Sequence, residues 1–140
     1  AFPNRVDASV SNDYFNFAPT GEDGTVADNT GLSAVFNANE VNAIYGMLST
    51  DDGLMLYTQG SEWRVKASVL DDPLSPSNIQ ARKVSTYGSA DVKPTQGPSQ
   101  SIFVQRQTRK ILGQFQITAS RYAADNISRL ADDLTGPGIA

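Results

Sequence analysis

Cysteine and histidine are both absent from the 140 residues. Without cysteine there is no disulfide and no thiolate metal site; without histidine the commonest general base and metal ligand are missing. Ser-His-Asp and Cys-His catalysis are therefore excluded within this chain. No apolar run approaches the ~20 residues a helix needs to cross a bilayer. The start also lacks the basic-then-apolar order of a secretory signal, so no membrane span is expected. Positive charge is in short supply: 11 Lys and Arg against 15 Asp and Glu leave a net charge of -4. That is the wrong sign for a dedicated nucleic-acid binder, whose phosphate contacts need a basic field. Neither G-x-x-x-x-G-K-[ST] nor G-x-G-x-x-G occurs, so nucleotide binding has no motif behind it and no cofactor is expected.

What is present is a doubled pattern. Over residues 43–68, and again over 90–117, short alternating apolar runs are divided by tight polar turns. In the first copy, residues 43–48 lead through Asp51-Asp52-Gly53 into 54–58, then through Gln59-Gly60-Ser61 into 62–67. Glycine reaches positive φ without a Cβ clash and aspartate bonds its own backbone, so both polar segments read as hairpin turns. In the second copy, 90–94 is extended, 101–106 is a strand, Gln107-Thr108 turns, and 109–117 returns. Trp63, Val65 and Ala67 point to one face and Arg64 and Lys66 to the other, as in a half-buried strand. The expected fold class is mainly β, an antiparallel meander forming propeller-like blades, with an ordinary meander as the alternative.

Around these copies lie an opening strand at 5–10, a turn at Asn12-Asp13, and a long polar, Gly-rich surface loop at about 19–30. Prolines interrupt the pattern twice. Asp71-Asp72-Pro73-Leu74-Ser75-Pro76 halts the ladder at an edge or blade junction before a strand at 78–85, and residues 94–98 interrupt it again. Near the end, Asp125 is placed to cap a short helix with Ile127, Leu130, Ala131 and Leu134 near one face. The expected organisation is a blade segment over 1–125 and a short helix and linker over 126–140. The Gly- and Pro-rich close suggests a passage into further protein.

Several words in this layout carry a likeness when read in order: Arg5-Val6-Asp7-Ala8-Ser9, Asp13-Tyr14-Phe15-Asn16-Phe17, Leu54-Met55-Leu56-Tyr57-Thr58, Glu62-Trp63, Tyr87-Gly88-Ser89 and Ile102-Phe103-Val104-Gln105-Arg106. The chain resembles the nozzle, or tail tubular (tail hub), family of short-tailed bacteriophages. Its members share R-V-x-x-S, D-Y-x-N-F, L-L-x-x-T, G-x-E-W, Y-G-S and F-V-Q-R in that sequence. Leu130-Ala131 and Leu134-Thr135 fit a stretch that tends toward L-A-x-H-L-T, with Asp133 standing where the histidine would be. The resemblance implies a β-propeller-containing virion component of the phage tail, made in the bacterial cytoplasm. It also implies a homo-oligomeric, hexameric ring meeting tail adaptor or portal-side proteins and tail fibres, with DNA passing through during ejection. It implies no enzyme and no catalytic residue.

Each word also has a reading from its own residues. Trp63 is expected to fill the space between blades with its indole N–H on a carbonyl. Tyr87-Gly88-Ser89 suits a bend where backbones approach closely. Phe103 is expected between layers, and Tyr14, Phe15 and Phe17 as a local hydrophobic cluster. Arg106 and Arg109 are candidates to face a partner's acids. Two other classes stay open: a receptor- or fibre-docking module using the 19–30 loop, and a carboxylate-only hydrolase built on Glu62, Asp51 and Asp52. Glu22-Asp23-Gly24 with Asp28 is a weak calcium candidate, lacking the spaced ligands and closing Glu of an EF-hand.

Overall fold

The computed structural model of the chain describes residues 3–36, 43–69, 72–118, 121–130 and 138–139. Alternating apolar and polar residues divided by Gly, Asp, Asn and Pro give strands, and ten of them lie among the described residues. They are β1 (Arg5–Ala8), β2 (Leu32–Val35), β3 (Ile44–Thr50), β4 (Gly53–Thr58), β5 (Glu62–Ala67), β6 (Ile79–Ser85), β7 (Thr95–Gln96), β8 (Ser101–Val104), β9 (Ile111–Thr118) and β10 (Arg121–Asn126). They form a two-stranded ribbon, β1-β2, and two four-stranded sheets, β3-β4-β5-β6 and β7-β8-β9-β10. Every pairing is antiparallel, and both larger sheets are meanders in which each strand lies beside its sequence neighbour.

The hairpin turns are where turn chemistry puts them. Thr50 pairs with Gly53 across Asp51-Asp52, and Gly53 takes φ 122°, a conformation that a side chain would strain. At the next turn the Thr58 hydroxyl donates to the Ser61 carbonyl at 2.6 Å, and the Ser61 amide donates back to that hydroxyl at 3.1 Å.

Both faces of the first sheet are covered. Leu56 and Val65 point one way, packing with Phe36 and with Val6 and Ala34 of the ribbon. Met55 and Tyr57 point the other way, packing with Phe103 and Leu112 of the second sheet. The result is three layers: ribbon, first sheet, second sheet. The sheets stack in the same strand order, since β3 approaches β7 and β6 approaches β10.

Several expectations are corrected. The chain is mainly β and antiparallel, but the described strands close neither a barrel nor a propeller. The polar face of β5 is not solvated: the second sheet covers it, leaving Glu62 and Arg64 buried. No C-terminal helix begins at Asp125, because residues 121–126 pair with the free edge of β9 as β10 and Asp125 lies opposite Gly113. Residues 127–130 are a turn; Ala131 and Leu134, with the rest of the expected helix up to 137, lie outside the described residues. The 71–76 segment connects β5 to β6 inside one sheet, with Asp71 outside the description. The 94–98 interruption contains β7, an edge strand of two residues. The ribbon strand β2 was not anticipated.

Candidate functional site

The chemistry-bearing side chains gather in the layer between the two sheets. Register explains why. Tyr57 pairs with Glu62 and Met55 with Arg64, so the charged residues of β5 share the face that meets the second sheet. Glu62 is wholly buried. Its Oε2 accepts a 2.5 Å hydrogen bond from the Ser85 hydroxyl of β6 and a 3.3 Å one from the Tyr87 amide. Gln114 of β9 donates from Nε2 to Ser85 Oγ at 2.8 Å and accepts from the Tyr57 hydroxyl at 3.4 Å. This chain of bonds joins β4, β5 and β6 to β9. Glu62 Oε1 is buried and accepts no hydrogen bond among the described residues. Burial, partly offset by the bonds from Ser85 and Tyr87, raises the Glu62 carboxyl above its ordinary range. Burial also pushes the Tyr57 phenol up to about 12.

A second cluster lies toward the β3–β4 turn. Arg64, with 3% of its side chain exposed, pairs with Asp52 of that turn. Tyr122 of β10 donates to Asp52 Oδ2 at 2.5 Å, and its ring lies 5.7 Å from the Arg64 guanidinium. Lys66 stands at 4.0 Å from Asp52 Oδ1. Burial works to raise the Asp52 carboxyl, but hydrogen bonds from Tyr122 and Arg64, with the charges of Arg64 and Lys66, hold it below the ordinary range. Burial first, and the bond to Asp52 second, push the Tyr122 phenol up to about 12.

The residues singled out from the sequence scatter over the layers. Phe103 is buried against Tyr57, with ring centroids 5.0 Å apart, at the junction of the sheets as expected. Trp63 is half-buried on the opposite face, edge-on to Phe36 at 5.8 Å, and its indole donates to the Ser61 hydroxyl rather than to a carbonyl. Gly88 has φ 73° and sits where a Cβ would overlap the Gln59 carbonyl oxygen. There the chain passes between sheets: the Ser89 amide bonds the Thr58 carbonyl, and the Arg106 amide bonds the Gly88 carbonyl. Tyr87 is 37% exposed beside it, and Arg106 is exposed. Tyr14 and Phe15 do not pack back as a cluster: they are 81% and 95% exposed, and Phe17 is 54% exposed. The turn at Asn12 does form, with φ 64°, and its hydrogen bonds between Val10, Asp13 and Asn16 hold the aromatics outward.

The hydrolase candidates are not brought together. Glu62 opens β5 whereas the Asp51-Asp52 turn lies beside its far end. At ~3.3 Å per strand residue, the four steps to Lys66 separate them by about 13 Å, beyond the roughly 5–9.5 Å that paired glycosidase carboxylates span. In the loop, Asp23 Oδ1 accepts the Thr25 hydroxyl and amide at 2.6 and 3.0 Å, and Asp28 accepts the Ser77 hydroxyl at 2.5 Å. Among the described residues no three His, Cys, Asp or Glu side chains are grouped to hold a metal ion. Tyr122, Ser85 and Gln114 were not singled out from the sequence. Their signal was indirect: β4 reads Leu54-Met55-Leu56-Tyr57, apolar at every position, which marks a strand buried on both faces. The polar partners of that second face had to come from elsewhere in the chain. No family model and no curated protein matches the chain.

Proposed function

We propose that this chain is part of a virion structural protein of a short-tailed phage tail, a ring-forming nozzle or tube subunit through which DNA is ejected. The role comes from the ordered likeness to the nozzle family. The observation that carries it furthest is the pair of consecutive four-stranded meanders stacked face to face in the same strand order. That is how neighbouring propeller blades lie. The polar layer supports a mechanical role: Arg64, Asp52 and Tyr122 bond one another, and Glu62 bonds Ser85, which Gln114 of the second sheet also bonds, so the sheets are coupled. The net charge of -4 suits a conduit wall, since each phosphate neutralised by a wall cation would slow the passing duplex. In this reading the protein works by packing against adaptor or portal-side proteins and fibres as a hexameric ring, and turns nothing over.

Electron microscopy of the full-length protein, alone and with its neighbouring tail proteins, tests the proposal. The expected result is a six-fold ring with a central channel at the distal end of the tail. Monomers under all conditions, or a location off the tail axis, would overturn it. A second reading, docking of a fibre or receptor, is favoured by the exposed Tyr14, Phe15 and Phe17. Capture of a purified tail fibre by a monomeric form of the protein would select it over the ring.

A further inference from the structure

Charge is segregated along the chain and, through the fold, across the molecule. The loop from Ser9 to Gly31 carries Asp13, Glu22, Asp23 and Asp28 and no Lys or Arg. Residues 93–129, which build the second sheet, carry six basic residues (Lys93, Arg106, Arg109, Lys110, Arg121, Arg129) against the single acid Asp125. The loop joins the two strands of the ribbon, which covers one face of the first sheet, and the second sheet covers the other. Acidic and basic regions therefore lie on opposite flanks.

Each flank also presents apolar surface. The loop holds Tyr14 and Phe15 almost fully in solvent on a hydrogen-bonded turn, which makes them rigid anchors of the kind that dominate interfaces. On the second sheet, Phe103, Leu112 and Gln114 face the first sheet, so period-two geometry turns Ile102, Phe115 and Ile117 to the outer face. Ile117 is 52% exposed and the other two are partly exposed. Beside this face Arg106, Arg109 and Lys110 stand exposed at the β8–β9 turn and form no ion pair among the described residues.

We infer that the acidic, aromatic loop of one copy docks on the basic-rimmed outer face of the second sheet of the next copy. The occupant is a second copy because the two surfaces of one chain are complementary in sign and both apolar at their centre. The choice rests on the ring reading above, which calls for repeated contacts between identical subunits. Two different patches on opposite flanks make a head-to-tail contact, which propagates around a ring or along a filament and does not stop at a two-fold dimer. Steering by opposite charges makes the association salt-sensitive.

Sedimentation velocity of the full chain over a concentration series, at low and high salt, tests this. The expected result is concentration-dependent association that weakens with salt. Replacing both Tyr14 and Phe15 by Ser should weaken it by roughly tenfold or more, with an unchanged melting temperature, since neither side chain packs in the fold. Arg109→Glu with Lys110→Glu should weaken it as well, and adding Asp13→Lys with Asp23→Lys should restore part of the loss. A monomer at every concentration overturns the inference, as does association that ignores the loop substitutions. The two proposals fail separately: rings insensitive to the loop leave the tail role standing, and loop-dependent filaments without rings leave the docking standing.

Discussion

Tyr122, on the last described strand, donates a 2.5 Å hydrogen bond to Asp52, a turn residue 70 positions earlier. Together with the Arg64–Asp52 pair it fastens the edge of the second sheet to a hairpin of the first. Replacing Asp52 by Asn keeps the shape but removes the carboxylate charge that Arg64 pairs with. The expected loss is about 2–3 kcal/mol, below the value for a fully buried pair because Asp52 is partly exposed. Tyr122→Phe should cost less, about 1 kcal/mol, since it removes one hydrogen bond. Because the folded state holds the Asp52 carboxyl below its ordinary range, its contribution is full above that range and is lost as pH falls through the depressed value. Urea melts of wild type and Asp52→Asn should therefore converge in strong acid; a constant gap would mean that the ion pair is not the source.

Glu62 is expected to behave in the opposite sense. Its carboxyl is raised, chiefly by burial, so the folded state favours the protonated form. The contribution to stability is full below the ordinary glutamate range and is lost as pH rises through the raised value. Once ionised, Glu62 with its unpartnered Oε1 burdens the fold. Glu62→Gln should raise neutral stability by on the order of 1–2 kcal/mol, and the gain should vanish in acid. Thermal melts of the two proteins between neutral and mildly acidic pH read this directly. A variant less stable than wild type at neutral pH would show that the charge itself holds the sheets together.

These two acids also mark how far the sequence could be read. The hairpins were legible because Asp51-Asp52-Gly53 and Gln59-Gly60-Ser61 carry their turn chemistry locally. The inter-sheet layer was not, since nothing near Glu62 or Arg64 announces that Tyr122 or Gln114 will cover them from fifty or more residues away. Alternation in β5 therefore looked like a wet face and a dry one, while its neighbour β4, apolar throughout, already required two dry faces. The end of the chain departs from its helical spacing for a related reason. Ile127 and Leu130 fit helical spacing, yet they are 46% and 99% exposed, and the edge of β9 captured the residues before them. Tyr14, Phe15 and Phe17 read as a local hydrophobic cluster, because no local rule tells an aromatic that packs inward from one held out by a turn.

The core should rank its aromatics by layer. Phe103 is 2% exposed and touches Tyr57 across the sheets, so Phe103→Ala should cost roughly 3–5 kcal/mol through the lost transfer energy and the cavity left behind. Trp63, larger but only partly buried on the ribbon side where it packs against Phe36, should cost less, about 2–3 kcal/mol on truncation. Equilibrium denaturation of both variants checks the order. Equal losses, or a larger one at Trp63, would place the main stabilising contact under the ribbon and not between the sheets.

Gly88 tests the junction itself. Its φ of 73° lies in the left-handed region, and a Cβ there would overlap the Gln59 carbonyl oxygen and crowd Arg106. Both are consequences of the crossing, in which Ser89 bonds Thr58 of β4 and Gly88 bonds Arg106 at the β8–β9 turn. Alanine at this position combines an unfavourable backbone conformation with a backbone clash, and the expected loss is about 2–4 kcal/mol. At Gly24, which also has positive φ but meets nothing within 4 Å, alanine incurs only the conformational term of about 1 kcal/mol. Comparing the two variants by urea denaturation separates strain from steric contact. If Gly88→Ala were no worse than Gly24→Ala, the backbones of the two sheets would have room to part at this point, and the stiff coupling proposed between them would fail.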